Sequence, residues 1–175
     1  MPERDEPERH EPERDEPERD RFGDRTVEVA DPEAMEELGR SLGRVLRAGD
    51  LLVLTGPLGA GKTTFTRGLG DGLGVRGPVT SPTFVIARTH PPLHGGPPLV
   101  HVDAYRVGSA VELDDLDLDL EHSVVVVEWG AGLLDGVAES WLDVVLERPT
   151  GGSDTPEGEE PIEPRTVRFR GTRWR

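Results

Sequence analysis

Cysteine is absent from the 175-residue chain, which excludes disulfides and thiolate metal sites. Lysine is nearly absent. Lys62 is the only one, and arginine supplies the rest of the permanent positive charge. No apolar run approaches the ~18 residues of a membrane span. The N-terminus is charged rather than apolar, so neither a signal peptide nor a membrane association is expected, and the expected compartment is the cytoplasm. Basic charge is scarce against acidic charge: the formal net charge is -15 and the pI near 4.7. Such a surface repels nucleic acid unless a local basic patch overrides it. A protein or a small molecule is the expected direct partner.

What is present centres on Gly56-Pro57-Leu58-Gly59-Ala60-Gly61-Lys62-Thr63-Thr64. This fits G-x-x-x-x-G-K-[ST], a phosphate-binding P-loop. The motif requires a strand before it and a helix after it. Leu51 to Leu54 is an apolar run suited to a buried parallel strand. Phe65, Leu69 and Leu73 recur four apart, as one face of a helix does. Glycines let the backbone curl with its N–H groups inward, and the helix N-terminus adds unpaired N–H groups and a positive dipole end. Gly56, Gly59, Ala60, Gly61 and Thr64 therefore belong to the phosphate cradle. Lys62 is placed to reach the β- and γ-phosphates of a nucleotide, and the Thr63 hydroxyl to bind Mg²⁺. The single lysine stands where a guanidinium is a poor replacement for a compact ammonium.

The rest of the chain is read around that loop. Residues 2–21 are four copies of a five-residue unit (PERDE, PERHE, PERDE, PERDR), and the stretch 1–21 holds ten acids and five arginines. Regular prolines and the lack of apolar surface predict a disordered tail, with the domain running from 22 to 175. Thr26 to Val29 alternates like a short strand. Asp31 with Pro32 marks a helix start. Met35, Leu38, Leu42, Val45 and Leu46 form one apolar face, and Gly49 ends that helix.

After the P-loop helix, Gly74 and Gly77-Pro78 break the chain. Phe84 to Ile86 reads as a strand, preceded by a hydroxyl-rich loop with Ser81-Pro82-Thr83. A threonine there is either part of a switch loop facing Mg²⁺ and the γ-phosphate or a polar turn. His90 and His94 flank a Pro/Gly loop, and spacing of four chelates metal only on a helix. Leu99 to Asp103 and Val124 to Glu128 are apolar runs ending in acids. Parallel strands end at the ligand crevice, where an acid holds Mg²⁺ or orients water. Spacing alone leaves open which acid holds the metal.

Ala110 to Leu120 alternates Leu with Asp, a short acidic helix and loop with a solvated face. Leu142 to Leu146 is a further strand, and residues 149–164 a flexible acidic loop. Thr166 to Arg170 alternates, putting Arg168 and Arg170 on one face, with Arg165, Arg173 and Arg175 extending a basic end. That end either balances an acidic protein or docks RNA or a partner. The fold class is α/β: a three-layer P-loop NTPase-type domain on a mixed, mostly parallel sheet.

The motifs LGAGKTTF, SPTF, HVDAYR and VEWG, in this order after the Asp31 helix, resemble the TsaE (YjeE) family. These are small bacterial P-loop ATPases that act in threonylcarbamoyl modification of tRNA adenosine next to the anticodon. The resemblance covers about Thr26 to Trp129. It implies ATP and Mg²⁺ as cofactors, with Glu128 the acid on the metal and Asp103 a second acid serving Mg²⁺ or the attacking water. Thr83 falls in the switch loop, and Asp31 at a position near the adenosine. Implied partners are TsaD- and TsaB-like proteins, with tRNA reached indirectly through them and the threonylcarbamoyl chemistry left to TsaD. Pro57 stands where the family usually has Asp, and Gly130 where Pro is common. The alternatives are a small-molecule kinase, which usually needs an arginine-bearing lid, and a nucleotide-gated adaptor without turnover. GTPase function is disfavoured, because the guanine-reading N-K-x-D motif needs a second lysine.

Overall fold

The computed structural model describes residues 19–57, 59–77, 79, 86–105, 107, 109–134, 136, 138–148 and 164–171. Seven strands among them form one sheet in the order β1-β7-β6-β2-β5-β4-β3. They are β1 (Asp24–Val29), β2 (Leu51–Thr55), β3 (Ala87–His90), β4 (Leu99–Asp103), β5 (Val124–Glu128), β6 (Leu142–Glu147) and β7 (Arg165–Gly171). The helices are α1 (Pro32–Gly43), α2 (Lys62–Leu73) and the short α3 (Ala110–Asp114). The four central strands β6, β2, β5 and β4 pair in parallel. Antiparallel strands close both edges, β7 and β1 on one side and β3 on the other. The α/β architecture expected from the sequence, on a mixed sheet that is parallel in its core, is what folds.

Alternation sorts the valines and leucines of the central strands onto two faces. Leu52, Leu54, Leu99, Val124, Val126, Val144 and Leu146 face α1 and α2. Leu51, Val53, Val100, Val102, Val125 and Val127 face the opposite way. That second face is covered more thinly, by Leu113 of α3 and by the partly buried Leu116, Leu118 and Leu120. The Leu/Asp alternation is thus a working pattern: leucines pack on the sheet while Asp115 and the other acids stay at the surface.

Helices α1 and α2 approach at backbone contact. A Cβ on Gly39 would fall 2.1 Å from the Phe65 carbonyl oxygen, and one on Gly72 would fall 2.1 Å from that of Arg40. Only glycine permits this spacing. Successive contacts (Met35 with Gly61, Gly39 with Phe65 and Leu69, Gly43 with Leu69) advance along both helices together. The two helices therefore run in the same direction, and both N-termini lie at the P-loop end.

Several expectations shift. Helix α1 stops at Gly43, with Arg44 as its cap, rather than continuing to Gly49. Val45 and Leu46 are buried beyond it, because the chain turns back there to enter β2. Of the strand read at Phe84 to Ile86, only Ile86 is among the described residues, and it is a bend; the described strand there is β3, Ala87–His90, fixed by antiparallel pairing with β4. Phe84, Val85, the Ser81-Pro82-Thr83 loop, Arg106, residues 149–163, Arg173 and Arg175 lie outside the described residues. So do residues 1–18 of the repeat segment. Arg19, in the last repeat, is only 4% exposed and forms paired 2.6 Å bonds to the Asp50 carboxylate. The packed chain therefore reaches back before Phe22. Arg168 lies 3.7 Å from Glu147 on the neighbouring strand, which suits the charge-balancing reading of that face.

Candidate active site

Strand β2 runs into the loop Gly56–Gly61, and α2 leaves it at Lys62. Gly59 and Gly61 have φ of +78° and +105°. These left-handed values are the curl that turns amides toward a phosphate. The loop rests on the end of β6 and on α1. A Cβ on Gly56 would meet the Leu146 carbonyl oxygen at 2.8 Å, and one on Gly61 would meet Met35 at 3.2 Å. Ala60 is fully buried beneath it.

Lys62 is 9% exposed. Its ammonium donates to the carbonyl oxygens of Gly56 and, at 3.3 Å, of Pro57. It also sits 4.1 Å from the centroid of the Trp129 ring, a cation–π distance. Burial pulls its pKa below that of an ordinary lysine, while the carboxylates of Glu128 and Asp103 pull it back up. Both acids thus act on the one ammonium. They are paired in register at the C-terminal ends of β5 and β4, and both project to the α2 side of the sheet. Glu128 is 4% exposed. Asp103 is half-buried and accepts from the Tyr105 amide at 3.0 Å.

Thr63 and Thr64 are half-buried in the first turn of α2. One hydroxyl and two carboxylates are a hard-oxygen donor set that suits Mg²⁺, which commonly completes its shell with substrate phosphates and water. No group of three or more His, Cys, Asp or Glu fit to hold a metal without such help occurs among the described residues. His90 is buried and its imidazole is held below the usual range, by burial first and by His101 next. His94 is exposed.

The Asp31 carboxylate accepts from the Ala34 amide at 2.8 Å, so its visible task is to cap α1. Helix pairing puts that cap at the P-loop end. Thr83 lies outside the described residues. The sequence reading did not single out His101, which is fully buried two residues before Asp103 on the same strand face. Its Nε2 lies 3.1 Å from Glu128 Oε2. The signal available was the period-two spacing from Asp103. Nor did it single out Arg148, which follows β6 and lies beside Gly59: a Cβ there would meet Arg148 Nη1 at 3.0 Å.

This geometry can be set beside known proteins. The family model for the threonylcarbamoyl adenosine biosynthesis protein TsaE matches residues 29–154. The chain belongs to the TsaE family. The tRNA threonylcarbamoyladenosine biosynthesis protein TsaE of Streptomyces coelicolor is 58% identical over 143 residues, 80% of this chain and 93% of that protein. Its counterpart in Mycobacterium tuberculosis is 54% identical over 127 residues, 67% of this chain and 75% of that one. The crystal structure of Bacillus subtilis YdiB superposes with a TM-score of 0.58 at 30% identity, covering 83% of this chain and 84% of that one. The TsaE match takes in the P-loop, both acids and β6, and leaves out the repeats before Val29 and strand β7. No helix among the described residues is long and apolar enough to cross a membrane.

Proposed function

We propose that this TsaE-family chain is a Mg²⁺-dependent ATPase subunit required for N6-threonylcarbamoyladenosine formation in tRNA. The observation carrying this reading is the shared corner of Lys62, Glu128 and Asp103 beside a left-handed glycine loop. In that corner the loop amides bind the polyphosphate, and the Lys62 ammonium leaves the Gly56 and Pro57 carbonyls to meet it. Thr63, Glu128 and Asp103 would hold Mg²⁺, which when bound neutralises charge on the β- and γ-phosphates. Asp103, less buried than Glu128, is the better placed of the two to orient a water.

The partners proposed are those that the TsaE resemblance implies, and the charge agrees with them. With a net charge of -15, the chain is a poor direct ligand for tRNA. It acts through TsaD- and TsaB-like proteins, and the threonylcarbamoyl transfer belongs to the TsaD-like partner.

Phosphate release from ATP, measured with Mg²⁺ for the chain alone and with TsaD- and TsaB-like proteins, tests this. Turnover that rises with partners, and that Lys62→Ala and Glu128→Gln abolish, supports it. Unchanged turnover in Lys62→Ala overturns it. So does transfer of the γ-phosphate to a small metabolite instead of water.

A further inference from the structure

We infer that the nucleotide-free chain holds its P-loop lysine under an aromatic latch. The Trp129 ring, braced by Tyr105, keeps the Lys62 ammonium on the loop's own carbonyls, and a polyphosphate binds as that latch opens. This rests on the ATP reading above and concerns the state that precedes binding.

Strand register brings the ring to the loop. β2 and β5 are parallel neighbours, with Leu54 opposite Glu128. The Trp129 amide, next in the chain, lies 3.4 Å from the Leu54 carbonyl oxygen, and the P-loop begins two residues after Leu54, at Gly56. Alternation would send the side chain after Glu128 to the face of Val127. Instead Trp129 has φ of +60°, a left-handed value that a bulky side chain rarely takes. That turn leaves its ring centroid 4.1 Å from Lys62 Nζ.

The ammonium is thereby occupied. An ammonium has three donors. It donates to the carbonyl oxygens of Gly56 and Pro57, and the indole covers it at cation–π distance. A phosphate cannot take those donors until they let go. Tyr105 packs edge-on against Trp129, with ring centroids 5.6 Å apart and planes at 70°. Its amide is tied to the Asp103 carboxylate at 3.0 Å. Tyr105 is 73% exposed and Trp129 39%, so no core encloses either ring. The latch is a surface device at the rim of the site, able to swing without disturbing the sheet.

A ligand that needs the open state binds with an affinity reduced by the fraction of open molecules. Removing the ring raises that fraction. A variant without it therefore binds polyphosphate more tightly, the opposite of losing a ligand contact.

The test is equilibrium binding of ATP and inorganic triphosphate to the full chain, for wild type, Trp129→Asn and Tyr105→Ala. Asparagine tolerates the left-handed region, so the backbone turn is kept. The expected result is a roughly fivefold gain in affinity for both ligands in Trp129→Asn, and a smaller gain in Tyr105→Ala. Fluorine NMR of the chain labelled with 5-fluorotryptophan reads the ring directly. The chain has three tryptophans, and the Trp129 resonance is the one lost in Trp129→Asn. It should shift when ATP is added, and also in nucleotide-free Lys62→Met. Unchanged or weaker ATP binding in Trp129→Asn overturns the latch while leaving the ATPase reading standing. If that variant does not fold, as thermal melting will show, the same outcome in Tyr105→Ala decides against it. A Trp129 resonance that ATP leaves in place overturns it too. So does a gain for ATP without one for triphosphate, because both ligands need Lys62. A wild-type chain that binds no ATP removes both readings together.

Discussion

His101 Nε2 lies 3.1 Å from Glu128 Oε2 on the neighbouring parallel strand, and neither side chain is more than 5% exposed. The two are at ion-pair distance without hydrogen-bond alignment, and His101 has no other partner for its ring nitrogens among the described residues. A buried imidazole packed behind a carboxylate limits the room in which that carboxylate can turn. Partners of this kind typically change metal affinity ten- to a hundredfold when removed. His101→Leu is therefore expected to raise the Mg²⁺ concentration needed for turnover by about tenfold. ATP binding measured in a chelator should stay near wild type. A parallel loss in both measurements would make His101 a packing residue only.

The buried ammonium of Lys62 sets a pH dependence of known sign. Its folded pKa lies below the 10.5 of a free lysine, chiefly through burial. Between those two values the unfolded chain holds a proton that the folded chain does not. Stability of the nucleotide-free protein should therefore rise with pH across that window, and the contribution is lost as pH falls through the folded value. ATP binding needs the charged form and should weaken over the same window. Denaturant titrations and ATP binding in an alkaline series test both slopes. Lys62→Met should flatten the stability slope, and a slope equal to wild type would assign it to another group.

Arg19 and Asp50 form a buried pair in which the two terminal guanidinium nitrogens, Nη1 and Nη2, each donate to a carboxylate oxygen at 2.6 Å. The Asp50 carboxylate also accepts the Arg47 amide at 2.7 Å, and Arg19 reaches the Val45 carbonyl at 3.1 Å. Removing one member strands a buried charge, which costs about 3 to 5 kcal/mol. Arg19→Ala is expected to lower unfolding free energy by that order. A chain begun at residue 19 should be as stable as the full chain, and one begun at residue 22 clearly less so. Equal stability of the two truncations would show the pair to be dispensable.

Local chemistry was legible from the residues, and long-range placement was not. The strand–loop–helix around Lys62 is written in adjacent residues. The two acids were readable because each ends a largely apolar run. Arg19 was hidden because its repeat looks like the other three, and only Asp50, 31 residues away, distinguishes it. Strand β3 was hidden because Ala87-Arg88-Thr89-His90 carries no apolar alternation; β4 holds it in place through backbone pairing. The place of Arg148 depends on β6 lying next to β2, a fact of strand order that spacing does not encode. Even helix α1 was legible at its start, where Asp31 caps it, and not at its end, where packing sets Gly43 as the last turn.

The glycines between α1 and α2 link that packing to the site. Gly39 and Gly43 on α1 face the backbone of α2, and Gly68 and Gly72 on α2 face the backbone of α1. A methyl group at Gly39 would lie 2.1 Å from the Phe65 carbonyl oxygen and 3.0 Å from the Leu69 amide nitrogen. Neither is a side chain that can swing away, so the helices must separate. Overpacking of this kind costs about 1 to 3 kcal/mol, a drop of roughly 5 °C in Tm. The displaced helix is the one whose first residues are Lys62 and Thr63. Gly39→Ala is therefore expected to weaken ATP binding as well as lower Tm, although Gly39 lies about one turn along α1 from the Met35 contact with the loop. Calorimetric melting with and without ATP reads both effects. A lowered Tm with full ATP affinity would mean that the loop holds its shape without α1.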